Sequence, residues 1–148
     1  MQQDSTAVEL GVQLALGAGL VLLLVLIHAA GLLGISRLFH LSGDELKDRE
    51  VNLRSLLILS ALGGCVFALH IFEILIFAFF YLLVGALSAV DEALFYSASA
   101  YATLGRTTDY FPEDWRLIGA LEALVGFILI GWSTALMVSA MQKVAEQK

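Results

Sequence analysis

Of 148 residues, only one is cysteine, one is proline, and 15% are charged. Each scarcity excludes something. The lone Cys65 rules out a disulfide within the chain and, set in an apolar run, reads as a small buried hydrophobe. The lone Pro112 leaves the long apolar stretches free of the residue that breaks helices. A formal net charge of −6 gives a nucleic-acid partner no electrostatic footprint. Met1 to Glu9 contains no Lys or Arg, and the apolar run that follows is far longer than a signal-peptide core, so this segment is expected to be a retained helix. Neither a nucleophile–base pair nor a cluster with metal-ligand spacing appears, which argues against an enzyme and against a bound metal. There is no repeat, no low-complexity tract and no arginine-rich helix of the kind that senses voltage.

What is present is hydrocarbon: 59% of the residues are hydrophobic, and the mean hydropathy is strongly positive. Three runs are long enough to cross a bilayer, namely Leu10 to Ile35, roughly Ser55 to Ser88, and Leu117 to Met141. The second, at about 1.5 Å per helical residue, reaches roughly 50 Å, more than a ~30 Å hydrocarbon core. It is expected to tilt, protrude or break, with Gly63-Gly64 as the weak point. Between the first two runs, Ser36 to Arg54 is the long polar linker. It carries Arg37, Lys47, Arg49 and Arg54, while Lys143 and Lys148 follow the last run. The positive-inside rule puts linker and C-terminus in the cytoplasm and the N-terminus outside. Ser42 and Glu45 have capping-box spacing, and Glu45–Arg49 and Glu50–Arg54 are i,i+4 pairs, so a surface helix is expected to lead into the second span.

The stretch from Tyr96 to Asp109, Tyr-Ser-Ala-Ser-Ala-Tyr-Ala-Thr-Leu-Gly-Arg-Thr-Thr-Asp, is too polar to span a membrane, yet it lies between two apolar segments. It reads as a re-entrant loop. Non-helical backbone at membrane depth is tolerated only where protein buries it or it lines an aqueous cavity, so the pattern points to ion permeation.

Tyr101-Ala102-Thr103-Leu104-Gly105, Trp115-Arg116, Leu121-Glu122-Ala123 and Gly131-Trp132-Ser133-Thr134-Ala135 together resemble bacterial potassium-channel-like pore proteins. The resemblance covers roughly Ser55 to Gln142. It implies an outer helix, a pore helix, a filter loop and an inner helix per subunit, with four subunits around the pore. The whole chain is then an all-α membrane protein of three transmembrane helices plus a re-entrant pore helix and filter. Residues 1–54 form an additional peripheral helix and linker, and 55–148 form the pore domain, with its pore loop at 90–114. The resemblance further implies that Thr103, Leu104, Gly105, Arg106, Thr107 and Thr108 occupy the filter, and that Gly126 and Gly131 match the inner-helix glycines of a gating hinge. Small residues at a helix–helix contact are the equal alternative for these glycines. Ser88 or Asp91 is the expected cap of the pore helix, whose C-terminal partial negative charge favours a cation.

The chain departs from that family where Gly105-Arg106-Thr107-Thr108 stands in place of Gly-Tyr-Gly-Asp. Thr107 takes the position of a glycine whose backbone conformation β-branched residues avoid. Weak selectivity between potassium and sodium is therefore expected. Charges inside the membrane are costly and are usually paired or functional. Glu122 is the expected partner of Arg106, bracing the filter, with Asp109 as second choice. His70 and Glu73, one turn apart, form an intramembrane polar pair. His28 and His70 are expected to differ in depth by roughly 12 Å, counted from the inner ends of their helices at 1.5 Å per residue, too far to share a haem.

The expected function is a homotetrameric channel in the bacterial inner membrane. It would pass monovalent cations, potassium or sodium, with membrane lipids as its other partners and no resident cofactor. A non-conducting homologue serving as a structural or regulatory subunit, and a proton-handling protein using His70, Glu73 and Glu122, are the alternatives.

Overall fold

The computed structural model describes residues 2–39, 53–104 and 113–145, and every regular element among them is helical. The order is α1 (Gln2–Leu38), α2 (Leu53–Leu83), α3 (Val90–Tyr101), a single 3₁₀ turn (Glu113–Trp115) and α4 (Arg116–Ala145). Three of these helices contain stretches long and apolar enough to cross a membrane, Leu10–Leu38, Ser55–Leu83 and Arg116–Lys143. They are apolar on all sides, the pattern of a helix surrounded by lipid or protein rather than water. Leu26 is 69% exposed and Phe127 67% exposed; that surface is costly in water and natural in hydrocarbon. The chain is a membrane protein.

Of tilt, protrusion and a break in the second span, the last does not occur, and two further local expectations are corrected. α2 runs unbroken through Gly63-Gly64. Glycine weakens a helix by about 1 kcal/mol, but an unsatisfied backbone group in hydrocarbon costs several, so the helix continues. The linker begins later than Ser36, because Ser36, Arg37 and Leu38 still belong to α1. The cap of α3 is Ala89, in extended conformation and with no side-chain hydrogen bond; Ser88 precedes the cap and Asp91 sits inside the first turn. Exposed Asp91 and Glu92 still complement the positive end of the α3 dipole. The capping box and ion pairs proposed for the linker involve residues or side chains outside the described set.

The ends of α2 and α3 use the same device. Gly85, at φ +69°, lets Ala86 N–H reach the Tyr81 carbonyl (2.9 Å) and its own N–H reach that of Leu82 (3.2 Å). This is a Schellman turn, which satisfies carbonyls the helix end leaves open. At the end of α3, Leu104 N–H reaches the Ser99 carbonyl and Thr103 N–H that of Ala100, both at 2.9 Å.

Packing falls into two units, 1–26 with 73–128 and 27–72 with 129–148. In the first, Gly17 of α1 is pressed against Leu121 and Ile118 of α4, too closely for a Cβ. Leu24, Phe77, Tyr81, Ala93, Tyr101, Ile118 and Val125 are buried there. In the second, a Cβ on Gly31 would come within 2.7 Å of the Leu69 methyls. Leu62 and Ala140 form a small core, flanked by Ile35, Phe39, Leu59, Leu136 and Met137.

Candidate functional site: a short helix between two buried carboxylates

α3 is only 12 residues long and buries Ala93, Tyr96, Ser97, Ser99 and Tyr101. Ala93, Tyr96, Ser97 and Tyr101 recur at three and four residues, one face of an α-helix, with Ser99 buried beside it. Tyr96 to Tyr101 is helical, and the chain leaves the helix only after Tyr101, just before the Thr103 at which the filter is expected to begin.

Each flanking span presents a fully buried glutamate to this face. From α2, Glu73 Oε2 accepts a 2.5 Å hydrogen bond from the Tyr101 hydroxyl. From α4, Glu122 Oε2 accepts one of 2.7 Å from Tyr81, and its Oε1 lies 2.5 Å from Ser97 Oγ. Ser97 Oγ is also 2.9 Å from the Ile74 carbonyl. A hydroxyl has one proton and faces two acceptors here, so Ser97 ties α3 to both α2 and α4. Burying a carboxylate is tolerable only with such partners.

Glycine sets how closely α3 approaches α4. A Cβ on Gly126 would stand 2.5 Å from the Tyr101 carbonyl oxygen and 3.0 Å from its ring. Gly119 receives the Tyr96 hydroxyl in the same manner. Gly126 is thus a contact glycine, the alternative left open above, within an α4 that runs unbroken. A Cβ on Gly131 would meet nothing within 4 Å.

Thr103 is the only described non-glycine residue with positive φ, +57°. A β-branched residue is an outlier there, and left-handed backbone costs about 1–2 kcal/mol. Thr103 and Leu104 are both exposed. Thr103→Gly is expected to raise stability by about 1 kcal/mol. A denaturation midpoint in mixed micelles that does not move would show that the turn bears no strain.

The remaining assigned filter residues, Gly105, Arg106, Thr107 and Thr108, lie outside the described residues, as does Asp109. Glu122 engages α3 through Ser97 and α2 through Tyr81; its pairing with Arg106 is not within the described set. Glu73 is bonded to Tyr101, and His70 faces His28 with ring centroids 5.4 Å apart. That corrects the 12 Å depth difference. Gly31 lies opposite Leu69 and His28 opposite His70, so α1 and α2 run in opposite directions. α2 begins beyond the level where α1 ends, and counting from helix ends misjudged the depth. Tyr81, Ser97 and Tyr101 were missed as partners. Their signal was available: two acids in apolar helices demand donors, and Tyr96 to Thr103 is the hydroxyl-rich segment between them.

No protein-family model, curated protein or solved structure matches the chain.

Proposed function

We propose that the chain is one subunit of a homotetrameric channel for monovalent cations in a bacterial inner membrane, N-terminus outside and C-terminus cytoplasmic. One observation carries the reading: the depth at which α3 ends. Tyr101 contacts Glu73, ten residues before Leu83 at the end of one span, and Gly126, ten residues after Arg116 at the start of another. At about 1.5 Å per residue both contacts lie roughly 15 Å in, half of a ~30 Å hydrocarbon core. At the other end of the descent, Tyr96 packs edge-on against Tyr81 at 5.3 Å, and Phe80 against Trp115 at 5.8 Å. Such aromatics mark the interface level.

The chain therefore turns at Thr103 near mid-membrane and must return to Glu113. Backbone at that depth needs burial in protein or an aqueous lining. Thr103 and Leu104 are exposed in the single chain, which favours neighbouring subunits around a wet axis. The negative end of α3 and carbonyls from Thr103 onward would face a cation there. At the outer mouth Asp91, Glu92, Asp109, Glu113 and Asp114, set against Arg116, leave four negative charges per subunit when Arg106 and Glu122 are counted as a neutral pair. Such a field concentrates cations, although salt screens it over about 8–10 Å.

Protein in liposomes is expected to pass potassium and sodium with similar permeability, and its native mass in nanodiscs is expected to be that of four chains. Arg106→Tyr, Thr107→Gly and Thr108→Asp together are expected to raise the potassium preference in reversal-potential measurements. A monomer or dimer, chloride flux, proton-only flux or silence would overturn the reading; silence with an intact tetramer would favour a non-conducting subunit.

A further inference from the structure

Glu73 does more than receive the Tyr101 hydroxyl. It stands one turn from His70 on α2, and the His70 ring lies 5.4 Å from that of His28, which is fully buried in the middle of α1. His28, His70 and Glu73 each present one ligand atom, and the three atoms all lie within 4.8 Å of one another. Gathering two imidazoles and a carboxylate in hydrocarbon is costly. Ionisable side chains at such depth are rare and mark function.

We propose that His28, His70 and Glu73 form a three-ligand site for one zinc ion. Two nitrogens and a carboxylate oxygen suit zinc and its transition-metal neighbours, whereas magnesium and calcium seek oxygen alone. Zinc accepts three protein ligands of these types, with its fourth position left to water. The carboxylate offsets one of the two charges of the ion, a compensation that burial in hydrocarbon demands. The geometry agrees. Ligand bonds of about 2.0–2.1 Å set tetrahedral donors about 3.4 Å apart, so atoms already within 4.8 Å close on an ion by side-chain rotation. Metal ligands are oriented by further hydrogen bonds behind them. Here the Tyr101 hydroxyl is 2.5 Å from Glu73 Oε2, and Ser133 Oγ is 3.4 Å from His28 Nε2. The two oxygens of a carboxylate carry about four lone pairs, room for a tyrosine and a metal together. No vacant atom is required, because a metal takes its ligands by displacing the protons and hydrogen bonds they hold without it. A bound ion would join α1 to the carboxylate that holds the end of α3.

The site stands independently of ion flux, so it is tested by binding. The full chain in nanodiscs, stripped of metal and titrated with Zn²⁺ against a chromophoric chelator, is expected to withdraw one ion per chain. His28→Gln and Glu73→Gln are each expected to weaken that withdrawal at least tenfold; the second keeps an acceptor for Tyr101, so its loss reports the missing charge. His40→Ala, at the third histidine of the chain, is expected to match the unaltered protein. His70→Cys replaces one zinc ligand by another and is expected to retain binding. With Co²⁺ as a coloured substitute for zinc, that variant is expected to gain a thiolate charge-transfer band that the unaltered chain lacks, which places the ion at residue 70. No withdrawal by the unaltered chain, full withdrawal by the two glutamine variants, displacement of the ion by excess Mg²⁺, or a cysteine variant without the thiolate band would overturn the assignment.

Discussion

Gly126→Ala is expected to destabilise the protein by about 1–3 kcal/mol, the usual cost of forcing extra volume into a packed site. Gly131→Ala is expected to be neutral or to stabilise by up to about 1 kcal/mol. Both substitutions improve helix propensity equally, so the difference reports packing alone. The methyl at 126 would meet the Tyr101 carbonyl at 2.5 Å, and that neighbour is backbone at the end of α3, which cannot rotate away. The methyl at 131 would meet nothing within 4 Å. Unfolding in mixed micelles measures both. Ion flux then separates the roles proposed for these glycines: a hinge at 131 loses flux on substitution while stability is kept. If Gly126→Ala is as stable as the native protein, the close approach of α3 to α4 is not maintained in the membrane.

Glu122→Leu is expected to cost about 1–3 kcal/mol, because it removes the acceptor of the buried Tyr81 hydroxyl, whereas Ser97 keeps the Ile74 carbonyl. Tyr81→Phe combined with Glu122→Leu is expected to cost less than the two single changes added together, since the phenol no longer lacks an acceptor. Coupling of this kind is what a double-mutant cycle isolates. A parallel cycle with Arg106→Gln tests the pairing expected from the sequence. Coupling to Tyr81 without coupling to Arg106 would make Glu122 a tie between α2 and α4; coupling to Arg106 would extend its reach into the proposed filter. Additive losses in both cycles would mean that Glu122 is held by neither.

The three spans were legible in the sequence, because twenty or more apolar residues in a row admit few structures other than a membrane helix once every backbone group must bond internally. So was the presence of something polar between the second and third spans, and the cost of Glu73 and Glu122 in hydrocarbon. The polar stretch alone did not show where helix gives way to turn: Ser97 and Tyr101 are poor clues to helix, and what holds them helical is the pair of buried carboxylates on other elements. Glycine pairs were equally ambiguous. Gly63-Gly64 was the weak point of a span expected to tilt, protrude or break and is continuous helix, while Gly126, readable equally as hinge or contact, makes a close contact. A glycine offers freedom and space alike, and only the neighbour decides which is used. Register between helices was likewise invisible. His28 and His70 stand 42 positions apart in sequence, and their meeting depends on how far two antiparallel helices slide along each other, which apolar composition leaves open and side-chain packing decides.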